Sequence, residues 1–365
     1  MSASPLLERL RALTALDAPV GFEEPVLEAA RAGLAACCDR VESDLRGNVY
    51  AYQAGRDASA PRVMITAHAD EVGFMVTSVL PCGHLRFARL GKPTAMVLPG
   101  QRVRVLTTAG ALEGVIGVKP GHVLSGEEAN RLPALRDLYI DVGAESAAQA
   151  ADWGIEPGTP AVFVGPLTRT GNPHRWLGKA VDNRMGVLAV LEAAERLAEA
   201  TAPCERVYVI AVEEEVGLRG AEVAARHVDP DVVLAVDTVP SGGTPDLRPD
   251  DLPWEIGKGP LLKVRETIGL STSRPLRELI RASAERASLP YQLIVDTAGI
   301  TDATSAQQAS GRIAAAVIGL ARKYSHSAAE LFDARDLEAL IDLVVAVTRD
   351  IEHVDQLRRL PAGGG

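Results

Sequence analysis

Two hydrophobic patterns alternate along the chain. In the first, apolar residues recur three or four positions apart, as they do on the buried face of a helix. This pattern is clearest in DNRMGVLAVLEAAERLAEA and in DLEALIDLVVAVTRDIEHV. In the second, short runs are wholly apolar: RVMITA, RVYVIAV, VVLAVD and AAAVIGLA. Such runs are typical of strands covered on both faces, so the sequence predicts an α/β fold with a mostly parallel sheet flanked by helices.

The hydrophobic pattern changes between Gly73 and Pro166. Short segments with alternating hydrophobicity and frequent Gly and Pro follow one another, as in GHLRFARLG, LYIDVGAES and TPAVFVGPL. This pattern predicts a small β barrel or sandwich. Because α/β elements precede and follow it, we expect one α/β domain over residues 1–72 and 167–365, with a β domain inserted over residues 73–166.

Composition excludes several classes of protein. Among the 365 residues no run of 18 apolar residues occurs, so a membrane-spanning protein is not expected. The amino end mixes charged residues with leucines, unlike a signal peptide. The four cysteines show no C-x-x-C spacing, so neither a cysteine zinc site nor a disulfide framework is indicated. We therefore expect a cytoplasmic protein with reduced thiols. The net charge of -10 and the lack of a basic cluster argue against nucleic acid or an anionic membrane as a partner.

Polar clusters follow the four apolar runs, where each predicted strand ends. The first run is followed by His68 and Asp70, the second by Glu213 to Glu215, the third ends in Asp237, and the fourth leads to His326. The carboxyl ends of parallel strands meet at one edge of a sheet, so these groups are expected to converge. Asp182 opens a predicted helix and joins them.

Each of these residues also has an ordinary explanation when taken alone. A carboxylate at a helix start, such as Asp182, is usually a cap, and a histidine after a strand is usually just hydrogen-bonded. Together, however, two histidines and several carboxylates form a nitrogen and oxygen ligand set suited to a divalent metal ion. A cation also explains three adjacent glutamates, because it removes the repulsion between buried carboxylates.

Several motifs together resemble one family. HADEVGFMV, KAVDNRMG, EEEVGLRGA, AVDTVPSGGTPD, TDA and KYSHSAAE occur in this order, and the predicted insert contains PGQRV and GVIGVKPGH. In these stretches the chain resembles the tetrahedral aminopeptidases, which are also called glutamyl or deblocking aminopeptidases. They are a family of di-metal metallopeptidases with a small inserted β domain. The resemblance covers nearly the whole chain.

The resemblance implies a role for each site residue. Two divalent metal ions per subunit are expected. Zinc is the first candidate, and cobalt and manganese are the alternatives. The implied ligands are His68 and Asp237 for one ion, Glu215 and His326 for the other, and Asp182 as the bridge. The implied catalytic residues are Glu214, as general acid/base, and Asp70, which orients His68. No role is assigned to Glu213, Asn183 or His122.

The resemblance also implies an activity and an assembly. A water molecule bridged between the metal ions would hydrolyse the amino-terminal residue from short peptides, with Glu214 transferring the proton. Homododecamers of tetrahedral type, built from dimers, are expected, with the insert contributing to oligomerisation and access. Two alternatives stay open: a related di-zinc amidohydrolase or carboxypeptidase, and a catalytically inactive, cage-forming protein that binds peptides.

Overall fold

The computed structural model describes residues 4–57, 59–200 and 202–360. The strands of these residues are β1 (Arg40–Ser43), β2 (Val49–Gln53), β3 (Arg62–His68), β4 (Gly73–Val79), β5 (Leu85–Leu90), β6 (Arg102–Thr107), β7 (Gly110–Gly117), β8 (Tyr139–Asp141), β9 (Pro160–Phe163), β10 (Thr168–Arg169), β11 (Arg175–Gly178), β12 (Glu205–Ala211), β13 (Val232–Pro240), β14 (Leu261–Arg265), β15 (Gln292–Val295), β16 (Ala314–Arg322) and β17 (Glu330–Asp333). The helices are α1 (Pro5–Thr14), α2 (Glu24–Ala35), α3 (Gly126–Ala129), α4 (Ala147–Asp152), α5 (Val181–Leu197), α6 (Arg219–Val228), α7 (Arg274–Arg286), α8 (Asp302–Ala309) and α9 (Ala334–Asp350).

The main sheet has eight strands in the order β1-β2-β12-β3-β13-β16-β14-β15. Its four central strands, β12, β3, β13 and β16, are parallel and contain the four wholly apolar runs of the sequence. The predicted α/β fold is confirmed. The sheet is mixed at its margins, because β2 and β14 run antiparallel to their central neighbours.

Helices cover both faces of this sheet, which explains why its central strands are apolar throughout. Helices α1, α2, α5 and α9 lie on one face, and α6 and α8 lie on the other. Along β13, Leu234 and Val236 pack on the α5 side while Val233 and Ala235 pack on the α6 side, because alternate residues of a strand face opposite ways. None of the described helices has the length and apolar character that a membrane span requires.

Six strands close into a barrel in the order β4-β5-β8-β7-β6-β9. They lie between Gly73 and Phe163, where the sequence changes to short alternating segments. Phe74 is fully buried in the barrel core and meets Phe87 and Phe163 edge-on, with ring centroids 5.1 Å apart in both pairs. The insert is therefore a barrel, one of the two architectures that its pattern predicts.

A small antiparallel sheet of β10, β11 and β17 lies beside the main sheet. Within it, Gly178 at the end of β11 pairs with Glu330 at the start of β17. Strand β11 leads into helix α5, and β17 follows the loop that leaves β16. The small sheet thus brings together two segments that both carry predicted site residues.

Candidate metal centre

The predicted site residues lie at the carboxyl edge of the central strands. His68 is the last residue of β3, and Asp237 lies near the carboxyl end of the neighbouring strand β13. The loops that follow β12 and β16 carry Glu214, Glu215 and His326. Because these four strands are parallel, their carboxyl ends form a single rim.

Six acidic or imidazole side chains form two groups at this rim. Within each group, one ligand atom from every side chain lies within 4.8 Å of the others. The first group is His68, Glu214 and Asp237, and the second is Asp182, Glu215 and His326. The structure thus brings together every residue that we predicted as a metal ligand or as the general base.

Asp182 lies between the two groups. Its Oδ1 is 3.3 Å from Nε2 of His68, and its Oδ2 is 3.3 Å from Nε2 of His326. Nε2 of His68 is also 3.6 Å from Oδ1 of Asp237, and Nε2 of His326 is 3.4 Å from Oε1 of Glu215. One carboxylate therefore faces the imidazole of both groups.

Both histidines turn Nε2 towards the carboxylates and use Nδ1 elsewhere. Nδ1 of His68 lies 3.1 Å from the backbone carbonyl of Asp70, and Nδ1 of His326 lies 3.3 Å from that of Lys92. A carbonyl oxygen only accepts hydrogen bonds, so each Nδ1 carries a proton and donates it. In the neutral ring, the lone pair of Nε2 is then free for a metal ion.

The donor atoms at the rim fit a divalent cation. Oδ1 of Asp182 and Oε1 of Glu215 are buried and form no hydrogen bond. A buried acceptor left unsatisfied costs about 1–3 kcal/mol, so folded proteins pair nearly all such atoms. A cation coordinated by these oxygens and the histidine nitrogens would satisfy them. Nitrogen and oxygen ligands without thiolate suit zinc, cobalt and manganese.

The carboxylates also determine how the histidines titrate. Burial lowers the pKa of His68, but the charge of Glu214, followed by Asp182 and Asp237, outweighs burial and raises this pKa well above its usual range. Burial likewise opposes protonation of His326, yet Asp182 and Glu215 raise its pKa to about 10. Because a metal ion binds only the neutral imidazole, metal binding at these rings competes with protonation.

The three consecutive glutamates point in different directions. Glu213 has a left-handed backbone, with φ of 57°, and its carboxylate pairs with Arg46 at 2.9 Å and with Arg219 at 3.5 Å, away from the rim. Glu214 and Glu215 face inward. Burial raises the pKa of Glu214 well above its usual range, and Glu215 adds to this shift while His68 opposes it.

Asp70 supports the loop that carries the two inward glutamates. It is fully buried, and its Oδ1 and Oδ2 accept hydrogen bonds from the backbone N–H groups of Glu214 and Glu215, each at 3.0 Å. Oδ1 is also 3.4 Å from Nδ1 of His68. Burial opposes its ionisation, but His68 and these two N–H groups lower the pKa of Asp70. Asp70 therefore orients three other site residues at once.

Glu71 holds the segment around Asp182 against the end of β3. Its carboxylate lies 2.8 Å from Nζ of Lys179 and 3.1 Å from Nη2 of Arg184, and all three residues are buried. Lys179 and Arg184 flank Asp182 on either side in the sequence. These two ion pairs therefore fix the start of α5 from both directions.

Asn183, rather than Asp182, stabilises the start of helix α5. Oδ1 of Asn183 accepts a hydrogen bond from the backbone N–H of Gly186 at 2.8 Å, and its Nδ2 donates to the carbonyl of Val236 at 2.9 Å. The side chain of Asp182 is thereby free to face the histidines. His122, which also had no predicted role, is exposed in a short turn of the insert.

The sequence patterns did not single out three buried charged residues at the rim. Arg322, the last residue of β16, contacts Asp182, and its Nη1 is 3.3 Å from Oε1 of Glu330. Asp302 begins helix α8 with both carboxylate oxygens buried and without a hydrogen bond, and burial raises its pKa to about 8. The motifs TDA and KYSHSAAE contain Asp302 and Glu330, and this was the only signal for them.

Comparison with known proteins identifies the family of this chain. Residues 47–343 match the family model described as M42 glutamyl aminopeptidase. The chain belongs to this family. It is 35% identical over 322 residues to a lysyl aminopeptidase of Pyrococcus furiosus, across 87% of this chain and 89% of the relative. The predicted family and the predicted enzyme class, an aminopeptidase and therefore a hydrolase, are confirmed.

Solved structures of similar proteins share the fold. An aminopeptidase, APDkam598, from the archaeon Desulfurococcus kamchatkensis superposes with a TM-score of 0.92 and 33% identity, over 98% of each chain. The TET1 peptidase of Pyrococcus horikoshii, which can assemble into a tetrahedron or a large octahedral shell, superposes with a TM-score of 0.83 and 31% identity. That match covers 94% of this chain and 99% of the relative.

Proposed function

We propose that this M42 aminopeptidase removes the amino-terminal residue from short peptides at a centre of two divalent metal ions. The observation that carries the proposal is the position of Asp182, whose two carboxylate oxygens face His68 in one group and His326 in the other. Two-metal hydrolytic sites hold their ions about 3.5–4 Å apart, a spacing that a bridging carboxylate suits.

The ligand assignment follows from the two groups. His68 and Asp237 would hold one ion, Glu215 and His326 the other, and Asp182 would bridge them. When bound, the ions would supply Lewis-acid activation of the peptide carbonyl and a nucleophilic water near neutral pH. We propose zinc as the first candidate, with cobalt or manganese as alternatives, because nitrogen and oxygen ligand sets accept all three.

Glu214 would act as the general acid/base. Its carboxylate lies with His68 and Asp237 in the first group and is buried, so it is close to the proposed ligands and largely shielded from bulk water. In this role it takes the proton of the attacking water and returns it to the departing amine. Asp70 holds the backbone of Glu214 and orients His68, so it acts by positioning these groups.

Removal of bound metal should abolish the activity reversibly. We expect hydrolysis of aminoacyl amides to disappear when a chelator strips the protein and to return when zinc, cobalt or manganese is added. The measurement is elemental analysis together with a substrate panel of acidic, basic and apolar amino-terminal residues, because the relatives include glutamyl and lysyl enzymes. A dialysis without chelator is the control.

Two results of this assay would contradict the proposal. Full activity in protein shown to be metal-free would exclude metal-assisted hydrolysis. Hydrolysis of N-acyl amides without hydrolysis of aminoacyl amides would support the related amidohydrolase instead.

We also propose that the chain assembles into a tetrahedral homododecamer built from dimers, with residues 73–166 as the inserted domain that mediates contacts and access. The similarity to TET1 supports this, as do apolar side chains on the insert: Met96, Val123 and Leu132 are 60–64% exposed in the single chain. Sedimentation should give the mass of twelve chains. A monomer under every metal condition would contradict this assembly.

The proposed assembly and the free cysteines indicate the substrates and the compartment. A closed particle admits only short or unfolded peptides as substrates. All four cysteines, Cys37, Cys38, Cys82 and Cys204, are free thiols, which is usual for a reducing compartment and supports a cytoplasmic location.

A further inference from the structure

Glu330 joins the two chain segments that carry Asp182 and His326. Its Oε1 accepts a hydrogen bond from the backbone N–H of His326 at 2.7 Å, and its Oε2 accepts one from the backbone N–H of Asp182 at 3.0 Å. Glu330 is only 2% exposed, so water does not compete for these bonds. A single carboxylate therefore connects the backbone at two members of the second group.

The small sheet holds Glu330 in place for this contact. Glu330 begins β17 and pairs with Gly178 at the end of β11, from which the chain runs directly to Asp182. His326 lies in the loop that precedes β17. The backbone ladder between β11 and β17 thus sets the approach of the two segments, and the Glu330 side chain completes it at the rim.

Arg322 is the third partner of Glu330. Its Nη1 lies 3.3 Å from Oε1 of Glu330, its guanidinium contacts Asp182, and its Nε donates to Oγ1 of Thr238 at 2.6 Å. Breaking a buried ion pair by removing one member is costly because a charge stays behind without a partner. Glu330 thus gives Arg322 a second carboxylate, so that Asp182 is not its sole counter-charge.

We propose that Glu330 is a positioning residue for the second metal ligand group. By holding the backbone of Asp182 and His326 together, it sets the distance between the carboxylate and the imidazole that would share one ion. Asp70 makes the equivalent contacts to the backbone of Glu214 and Glu215. This inference rests on the proposed two-metal function and assigns Glu330 a place outside the ligand set.

The Glu330→Gln variant tests this role through metal binding. The carboxamide has the same shape, but only its oxygen accepts, so one of the two backbone N–H groups meets an NH₂ group. We expect the affinity for the zinc ion held by Glu215 and His326 to fall by about 10- to 100-fold, as is usual when the partner of a ligand is changed. The affinity for the other ion should fall less, because Glu330 contacts only Asp182 among its proposed ligands. The measurement is a titration of metal-free protein with zinc against a chromogenic chelator.

Asp336→Asn is the matched control. Asp336 is also a buried carboxylate that accepts two backbone hydrogen bonds, from Gly257 and from Gly259, the latter at 2.8 Å, and it belongs to neither ligand group. We expect this variant to bind both zinc ions with wild-type affinity. Equal losses of zinc affinity in Glu330→Gln and Asp336→Asn would show a merely structural role and overturn the inference.

A second variant covers the case in which Glu330→Gln does not fold. Glu330→Asp keeps the charge beside Arg322 but is one methylene shorter, so it cannot reach both N–H groups, and we expect the same larger loss of affinity at the Glu215 and His326 site. Wild-type binding of both ions by Glu330→Asp would overturn the inference. Wild-type protein that binds fewer than two zinc ions would refute the two-metal function itself, so the two failures are distinguishable.

Discussion

In the Asp182→Ala variant, we expect both metal ions to be lost and peptide hydrolysis to fall below detection. The reason is that Asp182 presents Oδ1 to His68 and Oδ2 to His326, so its removal takes a ligand from both groups. The loss of metal affinity should exceed the effect of changing a residue that only contacts a ligand, which is about 10- to 100-fold. Arg322 would also lose its contact with Asp182 and turn its charge towards the vacated position.

The measurement for Asp182→Ala is metal content per chain by elemental analysis, together with the rate of aminoacyl amide hydrolysis. Asp336→Ala serves as the control, since it removes a buried carboxylate on α9 outside both groups and should keep its metal. Circular dichroism shows whether both variants retain the fold. A metal content reduced by only a small fraction in Asp182→Ala would count against a bridging role.

The Glu214→Gln variant should keep its metal ions and lose most of its turnover. Glutamine has the same shape as glutamate but cannot take up and return a proton at neutral pH. General acid/base catalysis contributes about 10²- to 10⁴-fold to a rate, so kcat should fall by that factor. Metal content and kcat are measured on the same preparation, because Glu214 lies within ligand distance of His68 and Asp237.

Glu213→Gln is the control for this variant, one residue away in the sequence. Its carboxylate pairs with Arg46 and Arg219 outside the rim, so we expect metal content and kcat close to those of the wild type. If Glu214→Gln lost metal and kept activity in proportion to the metal remaining, Glu214 would be a ligand and our roles for Glu214 and Glu215 would be wrong.

The central sheet shows why part of this fold could be predicted. Strands buried on both faces must be apolar at every position, and such runs are visible without any knowledge of the neighbours. The direction of the outer strands was not visible, because β2 and β14 carry no local mark of being antiparallel. That property depends on how the connecting chain returns to the sheet.

The site, like the fold, could be predicted from the sequence only in part. His68, Asp237 and His326 could be placed together from sequence because each follows an apolar run that becomes a parallel strand, and the carboxyl ends of such strands share one edge. The resemblance to one family then suggested which residues would act as ligands. The resemblance also ranked Glu214 and Glu215 ahead of Glu213, and in the structure the left-handed backbone of Glu213 turns its carboxylate towards Arg46.

The sequence by itself determined the class of the fold, the position of the inserted β region and the residue types available for a metal. Only the tertiary structure decided that Asp182 lies between two histidines, and that Glu330 and Arg322 connect the segments around it. The physical reason is that apolar periodicity is a local property of the chain, whereas a buried hydrogen bond or ion pair depends on where distant segments come to lie.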